Sequence, residues 1–153
     1  MNTKKAGLVI GLVALLWTPT VALSDDVDDL KAALTQVTDA IAKKDLAAFS
    51  SLLDDNIVMF GTDAPFPVVG KAAFRQAAQG LFSNNETVQE TDLNPQFRVS
   101  GNTGFVWGHS MFTIKPKDGP LRTTFTRTTI AWVKTDGKWL VSLVHFSRIP
   151  SGN

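Results

Sequence analysis

Cysteine and tyrosine are both absent from these 153 residues, and histidine occurs twice. Without cysteine there is no disulfide, thiol nucleophile, iron–sulfur cluster or thiolate zinc site. Without tyrosine no phenol serves as an acid or an oxyanion donor. His109 and His145 form no His-x-x-x-His pair, so neither a metal nor any other cofactor is expected. An excess of charge is missing too, since 15 Lys+Arg face 14 Asp+Glu, and a nucleic-acid partner is not expected. No Gly-x-Ser-x-Gly frames Ser83, Ser110 or Ser142, which removes that kind of serine hydrolase. The acidic cluster at 25–29 lacks the spacing and glycine of a calcium loop and reads as a dipole-matched helix start.

What is present begins with an address. Lys4 and Lys5 precede an apolar run at 6–17, followed by small residues and Asp25-Asp26-Val27-Asp28-Asp29. That is the pattern of a secretory signal peptide. The run is shorter than the about 20 apolar residues that span a bilayer, and Pro19 interrupts its end. We therefore expect residues 1–24 to be a signal peptide, cut after Ser24 or Ala22, and residues 25–153 to be one domain. The mature chain would be periplasmic or secreted, with no stable membrane anchor after cleavage.

Along the domain, Val27, Leu30, Leu34, Val37 and Ile41 recur at helical spacing, predicting an amphipathic helix over 26–43. Asp45 is placed to cap a short second helix with Leu46, Phe49, Leu52 and Leu53 on its apolar face. Ile57-Val58-Met59-Phe60 reads as a strand, 61–70 as a loop and 71–81 as a third helix. From there strands are predicted at 87–92, 96–100, 103–114, 121–134 and 138–148, separated by Asn94-Pro95, Gly101-Asn102, a turn at 117–120 and Asp136-Gly137. Helices followed by long antiparallel strands make an α+β domain with helices on one face of one sheet.

The segments Asp39-Ala40-Ile41-Ala42-Lys43-Lys44-Asp45-Leu46, Leu52-Leu53-Asp54-Asp55-Asn56-Ile57-Val58 and Val69-Gly70-Lys71-Ala72-Ala73-Phe74 resemble the opening of the nuclear transport factor 2-like superfamily. The end, with Trp132, Trp139 and Val144-His145-Phe146-Ser147-Arg148-Ile149-Pro150, resembles the SnoaL-like branch and is also similar to the calcium/calmodulin-dependent kinase II association domain. The resemblance implies a cone-shaped curved antiparallel sheet wrapped around a long N-terminal helix with two shorter helices, the cystatin-like fold. It implies a cavity open at one end, and a homodimer.

The ketosteroid isomerase chemistry of that superfamily needs a carboxylate base, a tyrosine and a protonated aspartic acid. Carried across ungapped from Asp45-Leu46, the tyrosine column falls on Val37 and the base column on Phe60; from Gly137-Lys138 the aspartic acid column falls on Thr129. None of those side chains supplies the group required, so isomerisation by that mechanism is excluded.

Strand alternation puts Thr123, Phe125, Arg127, Thr129 and Ala131 on one face and Thr124, Thr126, Thr128, Ile130 and Trp132 on the other. With Thr129 matched to a cavity-facing column, Arg127 is expected to face the cavity. So are His145 and Ser147, on the row Trp139, Val141, Leu143, His145, Ser147. Arg127 reads as a fork for a carboxylate or phosphate, as a structural ion pair with Asp63, Glu90 or Asp92, or as an outward-facing arginine in a dimer interface. Trp107 and Phe60 would shape the pocket, and His145 or His109 would move a proton if the cavity catalyses anything. The expected function is thus an exported SnoaL-like protein binding a small, partly apolar, anionic molecule. A histidine-based lyase, isomerase or hydrolase stays open, as does an interaction module dimerising through Thr126, Thr128, Ile130 and Trp132 without a small ligand.

Overall fold

The structure, a computed structural model, describes residues 20–62 and 65–150, with side chains from residue 25 onward; the apolar run at 6–17 lies outside the described residues. Its elements are α1 (Thr20–Ala42), α2 (Leu46–Ser51), β1 (Leu53–Phe60), β2 (Val68–Val69), α3 (Lys71–Asn84), β3 (Asn85–Ser100), β4 (Thr103–Pro116), β5 (Arg122–Thr135) and β6 (Lys138–Arg148). The strands form one curved sheet in the order β2-β1-β6-β5-β4-β3. All neighbours are antiparallel except β1 and β6, which run parallel. The three helices lie against one face, as the α+β pattern requires.

Local chemistry explains most boundaries. Asp45 is extended and its carboxylate accepts from the Ala47 and Ala48 amides at 3.1 and 2.9 Å, satisfying two donors of the first turn of α2. Asp136 and Gly137 both have positive φ, 50° and 78°, the backbone of a tight hairpin turn between β5 and β6. The helix over 26–43 is longer than expected, because it runs back to Thr20 through the expected cleavage points. The acidic cluster at 25–29 therefore lies inside the helix and not in its first turn, and Lys134 of β5 pairs there with both Asp26 and Asp29.

Two strands expected over 87–92 and 96–100 are one. Asn94-Pro95 does not end the strand but makes a bulge in β3, where the register against β4 slips between Leu93 and Gln96. Asn94 tolerates its φ of 51° and proline gives up no ladder donor at a bulge. A second irregularity lies in β6, between Val141 opposite Trp132 and Leu143 opposite Ala131, leaving Ser142 as the extra residue.

The core joins Leu30, Leu34, Val37 and Ile41 of α1, Phe49 of α2 and Phe74, Ala78 and Phe82 of α3 to the sheet's inner face. That face is carried by Val106, Ile130, Trp132, Trp139, Val141 and Val144. Burying this much apolar surface is what stabilises a domain without disulfides.

The candidate cavity and its buried carboxyl

Packing is tight around Leu30, Trp132 and Trp139 and opens towards α3. There a cavity of about 170 Å³ lies between Val37 and Ile41 of α1, Phe74, Ala78 and Phe82 of α3, and the inner faces of β3 to β6. Phe112 and Phe146 meet edge to face at 5.1 Å on its sheet side. Ala77 and Leu81, both exposed, line it beside α3. Every lining residue is apolar except Glu90.

Glu90 enters this surface through the alternation Val88, Glu90, Asp92, which puts all three side chains on the inner face of β3. It is 8% exposed, and its Oε1 has no hydrogen-bond partner. Beside it a polar seam crosses three strands, since Asp92 stands opposite Ser110 and Ser110 opposite Thr126. The Ser110 hydroxyl donates to Asp92 Oδ1 at 3.1 Å and Thr128 donates to Ser110 Oγ at 2.9 Å. The Thr126 and Thr128 hydroxyls are 3.1 Å apart, with Ser110, Thr126 and Thr128 all buried.

Burial first, and the Asp92 charge after it, push the Glu90 carboxyl up to about 8 against the opposing Ser110 hydroxyl. Asp92 is raised as well, chiefly by burial. Glu90 therefore holds its proton at neutral pH and gives it up just above, the property of a group poised for proton exchange.

The residues expected to line the cavity lie elsewhere. Arg127, Thr129, Trp107, His109 and His145 are exposed on the opposite, outer face of the sheet, and Phe60 is 44% exposed beside them. Ser147 stands opposite Arg127, and His145 opposite Thr129. Thr126, Thr128, Ile130 and Trp132, expected on an outer dimer face, are the buried set, with Trp132 at 0%. Pairing within each half of the alternation holds; the choice of face is reversed. On β6 the bulge at Ser142 is the cause, because it lets Val141 and Val144 both point inward and so turns His145 out. On β5 the ungapped match put Thr129 on the cavity side, whereas Thr128 and Ile130 are the inward residues, and in a strand that inverts every side chain.

Arg127 meets neither Glu90 nor Asp92, which are on the other face; it donates to the Arg148 carbonyl at 3.5 Å, and Asp63 lies outside the described residues. The basis for an anionic ligand in the cavity is therefore gone. His145 packs edge-on against Phe60 at 6.1 Å, and His109 borders a separate, more polar and more open pocket of about 560 Å³ with Leu93, Asn94 and Phe125. Neither histidine reaches the cavity. Glu90 carries the signal that was available in the sequence: an acid two residues from Val88 on a strand, weighed above only as a partner for Arg127.

The family model for a SnoaL-like domain matches residues 30–151. Among solved structures the chain is similar to a protein of the nuclear transport factor 2-like family from Streptomyces avermitilis, with 20% identity, a TM-score of 0.76, and coverage of 84% of this chain and 99% of that one. It is also similar to a conserved protein from Planctomyces limnophilus (17% identity, TM-score 0.76, 84% and 99% covered) and to a ketosteroid isomerase-like protein from Erwinia carotovora atroseptica (18%, 0.70, 83% and 98%). At these identities the likeness shows the fold. No curated protein matches the chain.

Proposed function

The chain belongs to the SnoaL-like domain family, and from that premise we propose that it is an exported protein binding one small, largely apolar molecule in the cavity between α3 and the sheet. One observation carries the reading: a cavity walled by apolar side chains and lined by a single carboxyl, that of Glu90. Such a pocket, mostly apolar with one placed polar group, is the usual form of a small-molecule site. A cavity of about 150 Å³ is large enough for benzene, so about 170 Å³ suits a single ring. The reading drops His145 and His109 as proton movers, since neither borders the cavity.

The test is a thermal-shift and calorimetric screen of one-ring compounds against the wild type and Ala78→Leu, which fills the cavity from α3. A ligand at about 100 times its Kd adds about 2.7 kcal/mol of stability. Stabilisation of the wild type that Ala78→Leu loses, while still melting cooperatively, supports the reading. No response from any ring compound would overturn it.

A second reading has its own observation. The outer face of β3 to β6 presents Phe105, Trp107 and Phe125, each at least 40% exposed, with Phe60 beside them on β1. Contiguous exposed aromatics mark an interaction site, and a sheet face suits an isologous contact. The homodimer then uses Trp107 and its neighbours, with the cavities on the far side.

A further inference from the structure

Resting on the cavity reading above, we propose that the cavity selects amines: a primary ammonium on a one-ring body, seated against Glu90 with Asp92 behind it.

The argument is a count of donors and charges. Two carboxyls, Glu90 and Asp92, stand two residues apart on one face of one strand. No Lys, Arg or His lines the cavity. The polar groups acting on Glu90 are Asp92 on its own strand and the Ser110 hydroxyl on β4, with the Thr126 and Thr128 hydroxyls of β5 behind Ser110. From α1, α2, α3 and β6 the cavity receives only apolar side chains, such as Val37, Phe49, Phe82 and Phe146. The hydroxyl hydrogens run towards Asp92, Thr128 to Ser110 and Ser110 to Asp92. Ser110 has one hydrogen to give, so the two carboxyls cannot both have it. Glu90 Oε1 is the acceptor left empty. What the site lacks is a positive charge, and an ammonium brings one together with donors for Glu90 Oε1 and Asp92. An anion would meet the Asp92 charge and no cation, so the acidic ligand expected from Arg127 is the class this cavity disfavours.

The proton balance is explicit. The amine enters as its free base; the O–H bond of Glu90 breaks, an N–H bond forms, and ammonium and carboxylate are left as a pair. Nothing is oxidised or reduced. In solution at pH 7 the amine is already protonated, so it sheds that proton to solvent on entry. Net, with Glu90 initially protonated below about 8, close to one proton is released per amine bound. An apolar wall makes the pair worth forming, because each charge there has few competitors for its partner.

The experiment is calorimetry at pH 7 with benzylamine, benzyl alcohol and benzoate, in phosphate and in Tris, whose differing ionisation enthalpies report protons exchanged. Benzylamine is expected to bind at least about ten-fold tighter than benzyl alcohol, about 1.4 kcal/mol, with proton release, while benzoate does not bind. Glu90→Gln keeps the shape, and is expected to retain benzyl alcohol while losing both the amine preference and the proton release. Asp92→Asn, which leaves Glu90 in place, is expected to weaken benzylamine and spare benzyl alcohol. Benzyl alcohol binding as tightly as benzylamine, or benzylamine binding without proton release, overturns the amine inference and leaves the cavity reading standing. If none of the three binds the wild type, the cavity reading falls and this inference with it.

Discussion

Leu30 occupies the space that a side chain at residue 104 would need. A Cβ added to Gly104 would lie 2.8 Å from Leu30 Cδ2 and 3.3 Å from Trp139 Cζ3, and Leu30 is fully buried. Glycine at this point of β4 lets the long helix settle onto the sheet. Overpacking a filled core costs about 1–3 kcal/mol, so Gly104→Val is expected to lower stability by that amount in urea unfolding. Gly104→Val and Leu30→Ala together are expected to cost less than the sum of the two single changes, which a loss unrelated to the contact would not do.

The raised Glu90 carboxyl makes stability depend on pH. An unfolded glutamate titrates near 4.5 and the folded one near 8, so between those values the folded state holds the extra proton. Stability from this group is complete below the lower value and is lost as pH rises through the higher one, at up to about 1.4 kcal/mol per pH unit. Asp92, also raised, acts in the same direction. Denaturant unfolding from pH 5 to 9 is expected to show a fall that Glu90→Gln largely abolishes. A wild-type profile that is flat across that range, or rises, would contradict the assignment.

The sequence was legible where periodicity and turn chemistry act alone. The Asp45 cap, the Asp136-Gly137 hairpin and the apolar stripe Leu30, Leu34, Val37, Ile41 need no tertiary information. The facing of the strands was not legible, because both rows of β5 mix threonines with one or two bulky side chains. Ile130 and Trp132 argue for one face about as well as Phe125 and Val133 argue for the other. Hydropathy leaves such a strand undecided, and only packing against α1 and α3 settles it. The bulge at Ser142 has no proline or glycine to announce it. Glu90 was missed for a related reason: a strand acid is read as solvated until its neighbours are known, and those neighbours, Phe112 and Ser110, come from a different strand.

Outer-face self-association has a sign of its own. Around the exposed rings the outward positions of β3 to β6 carry Arg98, Arg127, His109 and His145, following the register of the ladders, while Glu86 is paired with Lys115 at the far end of β3 and β4. Two such faces brought together stack apolar rings with cations held at their edges. Sedimentation equilibrium is therefore expected to show a dimer. Trp107→Glu is expected to give a monomer, with the cavity intact. A wild-type monomer would remove the dimer reading.

Lys134 ties residues more than a hundred positions apart, holding Asp26 and Asp29 in the N-terminal half of α1 to β5. Its ammonium is raised by the hydrogen bond to Asp26, and it also lies over the Trp139 ring at 5.5 Å. Cleavage after Ala22 or after Ser24 removes the beginning of the helix and keeps both aspartates. The intact mass of the protein recovered from the periplasm or medium is expected to correspond to a start at Leu23 or Asp25. A chain made to start at Asp25 is expected to melt with the full-length protein, whereas one starting at Leu30 loses the tether and melts lower. Lys134→Met separates the tether from the ring contact, since a methionine still packs on Trp139 but binds neither aspartate. If that variant melts like the chain starting at Leu30, the aspartates are what hold the helix to the sheet. If it melts like the wild type, the tether adds nothing, and the cut is free to fall anywhere before Leu30.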